Sequence, residues 1–151
     1  MSLMQRPNDS RNMKLSPDKS TTTMSNHIVP NVLRDGLRLV FCGTAPSYTS
    51  AMQRAYYARR HNRFWKTLDE VGLTSGQLEP SEYQRLQQIW IGLTDLSKTD
   101  SGNDDEIPKG ALNVADLAEN IKRFEPRSAL TASGRRRKVS YVASGSEDID
   151  L

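Results

Sequence analysis

The sequence predicts a three-layer α/β/α fold in which a short parallel central sheet lies between helices. An apolar run at residues 37–42 stops at Gly43, which is typical of a buried strand in a parallel sheet. Amphipathic helical patterns alternate with further apolar runs along the chain. The resulting order of strand, helix, strand, helix, strand is typical of parallel sheets covered on both faces.

The 151 residues suffice for one domain, with polar segments at both ends. Residues 1–27 contain no Phe, Trp or Tyr and are rich in polar residues, so they are predicted to be a disordered arm. Residues 28–132 form the predicted α/β domain. Residues 133–151 are basic, then rich in Ser and Gly, then acidic, and are predicted to be a disordered polar tail.

The first strand leads into a long connection over residues 44–61. Open α/β sheets bind their ligands at connections that follow the carboxyl ends of strands. A helix is then predicted from Asn62, with Phe64, Trp65 and Leu68 on its core face.

Helix-capping residues and a helix-ending proline predict the boundaries of the later elements. Ser81 is the predicted cap of a second, short helix, and residues 89–96 are the predicted second strand. Asn113 caps the strongest helical pattern of the chain, which Pro126 ends. Residues 128–131 are the predicted third strand.

The chain has 21 basic and 18 acidic residues, which gives a formal net charge of +3. This small positive charge permits a polyanionic partner but does not require one. Basic side chains cluster in two places, namely Arg54, Arg59, Arg60, His61 and Arg63, and then residues 135–138. Each cluster taken alone is equally consistent with an ordinary solvated surface.

Several classes of protein are excluded. Cys42 is the one cysteine, so there is no intramolecular disulfide, and its apolar neighbours predict a buried thiol. Two histidines are too few and too scattered for a metal site. No stretch reaches the roughly 20 apolar residues of a membrane span, and no secretion signal is present, so we expect an intracellular, cytoplasmic protein. The turn after Gly43 lacks the glycines of a dinucleotide fingerprint and the Gly-Lys-Ser/Thr of a P-loop.

Four ordered blocks carry a resemblance to a known family. They are residues 39–47, the Tyr-Tyr-Ala of 56–58, the Asn-Arg-Phe-Trp of 62–65 and the Gly-Leu-Thr-Asp-Leu of 92–96. Together they resemble the mismatch-specific uracil-DNA glycosylase family, in which a strand ends in Gly-x-Asn-Pro-Gly, an aromatic-Ala pair follows, Asn-Arg-Phe-Trp opens a helix, and the next strand ends in Gly-x-Thr.

The resemblance implies a uracil-DNA glycosylase-like fold and excision of uracil or a similar deaminated or mispaired base from DNA. Such an enzyme flips the base out of the duplex and hydrolyses its N-glycosidic bond with water. It implies DNA as the partner, no metal or organic cofactor, and a monomer that acts at the nucleoid.

The same resemblance assigns roles to individual residues. The substrate-binding positions are Gly43, Ala45, Pro46, Ser47, Tyr57 and Asn62. Tyr57 corresponds to the stacking aromatic, although a tyrosine that packs the loop on the core is an equal interpretation, and Asn62 is also interpreted as a helix cap. Arg59, Arg60 and Lys98 are the predicted DNA-phosphate contacts.

Ala45 departs from the family, because it stands where the water-activating Asn is found. Alanine cannot orient water, so another group must do so if the protein cleaves. Thr44, Asp95 and Asp104 are the candidates. Asp95 is preferred as a catalytic group, since a carboxylate there could act as a base or stabilise an oxocarbenium-like transition state. A turn cap is an equal interpretation of Asp95.

A second departure lies after Leu130, where the His-Pro-Ser or Asn-Pro-Ser loop of the family is not found. This predicts a C-terminally truncated or frame-altered family member with an exposed sheet edge. Two alternative functions stay open, a catalytically impaired protein that binds lesion-containing DNA and a generic α/β nucleotide-binding module. An unstable chain without activity is a third possibility.

Overall fold

The computed structural model describes residues 26–132 and 139–143, with side chains described up to Leu130. Nearly all of the predicted arm, the basic cluster at 135–138 and the last residues of the predicted tail lie outside the described residues. Within the described part, none of the helices combines the length and the apolar character that a membrane crossing would need.

The described strands form one sheet at the centre of the domain. They are β1 Leu39–Gly43, β2 Ile91–Asp95, β3 Ser128–Ala132 and β4 Val139–Ala143. Their spatial order is β2-β1-β3-β4, and β1 runs parallel to both of its neighbours. The α/β fold and its short parallel sheet are therefore confirmed, and all three predicted strands are present.

The sheet continues beyond the third strand, which corrects the expectation of an exposed edge at β3. β4 pairs antiparallel with β3, and Ser128 lies opposite Ala143. β4 falls inside the range 133–151 that was predicted to be a polar tail. The range is polar on average, and the prediction therefore overlooked the short Val-Ser-Tyr-Val run within it. The residue types of this run favour an extended chain.

In the described part of the chain, three α-helices and two 3₁₀ helices surround the sheet. They are α1 Tyr48–Gln53, α2 Phe64–Glu70, α3 Val114–Phe124, and 3₁₀ helices at Pro80–Ile89 and Lys109–Ala111. α1 lies within the predicted connection 44–61, which the sequence pattern did not reveal as helical. α1 is short, and Ser47 starts it by accepting a hydrogen bond from the Ser50 amide at 3.1 Å.

The helix starts confirm Asn113 as a cap, place Asn62 one residue before the cap position of α2, and show that Ser81 is not a cap. The side chain of Asn62 accepts from the Phe64 amide at 2.9 Å, so α2 begins two residues after Asn62. Asn113 caps α3 through the Asp116 amide at 2.9 Å. Ser81 is not a cap, because the 3₁₀ helix begins at Pro80 with a capping box between Glu79 and Glu82.

Alternate residues of β1 face two separate hydrophobic clusters, which produces the three layers. Leu39 and Phe41 pack against the cluster that contains Trp65 and Leu68 of α2. Val40 packs on the other face, in the cluster that is completed by Ile121 of α3. The predicted burial of Cys42 is confirmed, and burial raises the pKa of its thiol to about 12.

Candidate functional site

A cavity of about 950 Å³ opens at the carboxyl ends of β1 and β2, where Gly43 and Asp95 are paired in register. Residues 43–47 form one side of it. The two strands and the turn after β1 therefore place this cavity where open α/β sheets bind ligands.

Hydrogen bonds from the chain after β2 fix the carbonyl groups of the turn at 43–47. The carbonyls of Gly43 and Thr44 accept from the amides of residues 96 and 97, each at 2.8 Å. The Pro46 carbonyl accepts from the Gly102 amide at 3.0 Å. The conformation of the turn therefore depends on the segment after β2, to which it is directly hydrogen-bonded.

The polar groups of the turn differ in their access to a ligand. The amides of Ala45 and Ser47 donate no hydrogen bond to the described residues. The Ser47 hydroxyl is occupied in capping α1. The Oγ1 atom of Thr44 is buried without a partner among the described residues, so the hydroxyl is not presented to open space as a catalytic role would require. The free amides, rather than the side chains, are the donors that this turn offers.

Asp95 lies against Gly43 at the inner end of the cavity, and its side chain is almost fully buried, with 6% of the residue exposed. A Cβ atom at Gly43 would collide with Oδ1 of Asp95. Burial raises the pKa of Asp95 to about 7, an effect that the positive charge of Lys98 partly offsets. Asp95 is therefore a carboxyl group that changes protonation state near neutral pH.

Two adjacent tyrosines line the same cavity. The ring of Tyr57 stacks on Phe64, with 3.9 Å between centroids and 27° between planes. Tyr57 has a left-handed backbone with φ of 52°, which non-glycine residues adopt at a cost of about 1–3 kcal/mol. The hydroxyl of Tyr56 is buried without a partner among the described residues. Burial, and then the charge of Asp95, raises the pKa of both tyrosines, so both hydroxyls are hydrogen-bond donors.

The outer rim joins two loops through a polar contact. Arg59 donates to the Asn103 side chain at 3.1 Å, which connects the segment before α2 with the loop after β2. Asp104, an exposed residue of that loop, also lines the cavity. Asn62 lines it too, although its Oδ1 already accepts from the Phe64 amide.

Two predicted phosphate contacts lie elsewhere. Arg60 is exposed but is not among the residues that line the cavity. Lys98 is turned inward with 10% of its side chain exposed, and Nζ donates to Asn31 at 3.0 Å and to Thr94. It also lies 3.7 Å from the carboxylate of Asp116. The prediction that Lys98 contacts phosphate is wrong, because these partners hold its ammonium group inside the domain.

Sequence reasoning missed several residues that line the cavity. They are Phe41, Tyr56, Phe64, Thr67, Leu68, Val71, Leu73 and Asn103. Phe64, Leu68 and Val71 recur at helical spacing, and the sequence assigned this stripe, together with Trp65, to one face of the helix, with Phe64 and Leu68 as core. Phe64 is only partly buried, because its stripe continues from the core into the cavity.

The arrangement suits a flat ring with a polar edge. Aromatic side chains provide stacking surface, and buried or unpaired polar groups provide hydrogen bonds at one end. The structure describes no group of three or more His, Cys, Asp and Glu side chains that could hold a metal ion among residues 26–132 and 139–143. The fold and the cavity together define an α/β protein with a ligand site at the carboxyl edge of its sheet.

A model of the uracil DNA glycosylase superfamily matches residues 30–141, which is well over half of the chain. The protein therefore belongs to the uracil DNA glycosylase superfamily. Members of this superfamily are typically DNA glycosylases, hydrolases of base excision repair. The matched range includes every strand described above up to the centre of β4.

Proposed function

We propose that this protein is a DNA glycosylase that removes uracil or a similar deaminated or mispaired base from DNA. One observation carries the proposal. The buried carboxyl group of Asp95 and the stacked rings of Tyr57 and Phe64 line a single cavity at the strand ends. These are the two surfaces that an extruded base requires, an aromatic wall for its face and polar groups for its edge.

Base recognition follows from these two surfaces. A base that stacks on an aromatic side chain gains roughly 1–3 kcal/mol, which offsets part of the cost of leaving the duplex. The amides of Ala45 and Ser47 donate no hydrogen bond to the described residues. Because unpaired polar groups are costly, a base whose carbonyl oxygens accept from these donors would be favoured.

Asp95 is the proposed catalytic group. In its ionised form it accepts a proton from the attacking water and stabilises the positive charge that develops on the sugar. A pKa of about 7 suits a general base at neutral pH. Ala45 has no polar side chain, so Asp95 takes over the part that a turn side chain would otherwise play.

A single-turnover assay tests the proposal. Oligonucleotides that contain uracil or hypoxanthine are incubated with the protein in excess, and release of the free base is measured. We expect base release by the natural protein and at least about a hundredfold slower release by Asp95→Asn. Asp105→Asn is the matched control, because Asp105 is exposed and does not line the cavity. Equal rates in both variants would contradict the role of Asp95.

Ala45 favours a second candidate, a protein that binds lesion-containing DNA without cleaving it. Such a protein would use the same cavity to hold the flipped base. The assay separates the two, because salt-sensitive binding to uracil-containing DNA without release of free base would favour this candidate.

A further inference from the structure

Three arginines and a tryptophan gather at the amino edge of the sheet, at the other end from the cavity. We call Arg34, Arg38, Trp90 and Arg127 the amino-edge patch. Arg38, Trp90 and Arg127 immediately precede β1, β2 and β3. Two hydrogen bonds connect these strand starts: the Arg38 amide donates to the Trp90 carbonyl at 2.8 Å, and the Arg127 amide donates to the Leu37 carbonyl at 3.1 Å. Strands of five residues separate the patch from the cavity by roughly 16 Å.

Trp90 is fixed in place although its ring is only partly covered. Its backbone has φ of 66°, a left-handed conformation that is costly for a bulky side chain. The Arg34 guanidinium lies 4.0 Å from the centre of the ring. Even so, 45% of Trp90 is exposed. A large aromatic residue that is kept exposed at the cost of backbone strain indicates a role in binding.

The charge of the amino-edge patch indicates an anionic partner. The segments that lead into β1 and β3, residues 34–38 and 122–127, contain five Lys and Arg residues and two Asp and Glu residues. Within the described residues, none of the three arginine side chains of the patch forms an ion pair. Arg38 and Arg127 are exposed and precede adjacent strands, so their like charges repel until an anion lies beside them.

A single strand of nucleic acid matches both the aromatic ring and the positive charge. Its bases are free to stack on a tryptophan ring or on an arginine guanidinium, and its phosphates attract arginines. The bases of a duplex are stacked on one another, so duplex DNA would offer the patch only its phosphates. An acidic peptide would satisfy the arginines but would leave the exposed ring of Trp90 without a stacking partner.

We propose that the amino-edge patch is a second nucleic-acid site, which binds a single strand by stacking a base on Trp90 and by holding phosphates with Arg38 and Arg127. The site is separate from the cavity, so it takes a strand whether or not the cavity holds a base. It goes beyond the proposed function and does not depend on base release.

Binding of an oligothymidylate of about twelve nucleotides, which contains no uracil, tests the second site. Anisotropy of a labelled strand gives Kd, and quenching of tryptophan emission reports stacking on Trp90, because Trp65 is buried. Trp90→Gly, which also removes the backbone strain, is expected to weaken Kd by about tenfold or more and to abolish the quenching. The double variant Arg38→Gln, Arg127→Gln is expected to weaken Kd and to reduce its dependence on salt.

Lys109→Gln is the matched control for charge. Lys109 is exposed, but it follows β2 and therefore lies on the cavity side of the sheet. It is expected to leave Kd for oligothymidylate unchanged. Circular dichroism checks the fold of each variant, and the arginine variants decide the outcome if Trp90→Gly does not fold.

Two results would overturn the second site. One is a natural protein that does not bind oligothymidylate, or that binds it as tightly as the patch variants do. The other is binding of polyglutamate, but not of oligothymidylate, that the same variants abolish, which would identify an acidic protein as the partner. Failure of the proposed function is a separate result, since absence of base release from uracil-containing DNA leaves these binding measurements intact.

Discussion

Gly43 matters because of what lies against it and not because of its backbone angles. Asp95 occupies the space that a side chain at position 43 would need, since the two residues are opposite each other on adjacent strands. Parallel pairing of β1 with β2 therefore creates the buried carboxyl site, and glycine at the end of β1 leaves room for it.

Gly43→Ala is predicted to displace the Asp95 carboxyl group and to slow base release about a hundredfold or more. Single-turnover rates on uracil-containing DNA measure the effect. Gly76→Ala is the matched control, because no atom lies within 4 Å of a Cβ added there. A Gly43→Ala protein with the natural rate would show that the position of Asp95 does not matter.

Asp95 is predicted to make stability depend on pH. Its pKa is about 7 in the folded protein against 3.8 for the free group, so folding is favoured by its protonation. This contribution is complete below about pH 4 and is lost as the pH rises through 7, at a cost of up to about 4 kcal/mol. Asp95→Asn is therefore expected to raise Tm at pH 8 far more than at pH 4.5. Thermal melts at both pH values test this, and an equal shift at both would contradict it.

The sequence could predict some site residues because they are determined locally. Gly43 and Asp95 end apolar runs, and strand ends meet at one edge of a parallel sheet. The inward orientation of the Lys98 side chain could not be predicted from such local signals. It depends on Asn31, 67 residues earlier, and on Asp116 of α3, which only the folded chain brings together.

At the scale of the elements, strong local signals in the sequence were sufficient to predict a long helix. Asn113, the regular apolar spacing of the next residues and Pro126 predicted α3, which runs over Val114–Phe124. Short elements were missed because their local signals are weak. α1 has six residues and β4 has five, and such lengths give too few repeats for a periodic pattern to emerge.

The cap of α3 gives a prediction for stability. Asn113→Ala removes the acceptor for the Asp116 amide and is expected to lower the free energy of unfolding by about 1 kcal/mol. Asn120→Ala, inside the same helix, is expected to be nearly neutral because the better helix propensity of alanine offsets the lost contact with Asp116. Urea denaturation measures both, and equal losses would contradict the capping role.

At the scale of the whole molecule, the two faces of the sheet have different roles. The α3 face is packed, and the Lys98 contacts lie there, away from the cavity. The α2 face continues from the core into the cavity, so the helix that packs on the sheet also supplies part of the aromatic wall. The order of strands and helices predicted the fold, whereas this continuity between core and cavity needed the three-dimensional packing.

The central claim is that the cavity at the ends of β1 and β2 receives a base rotated out of DNA. Its most direct test is a crystal structure of the protein with duplex DNA that carries one uncleavable deoxyuridine analogue. We predict that the uracil ring lies against the Tyr57–Phe64 pair, with its edge or its sugar within hydrogen-bond distance of Asp95. A uracil that remains stacked in the duplex, or that binds outside this cavity, would contradict the account.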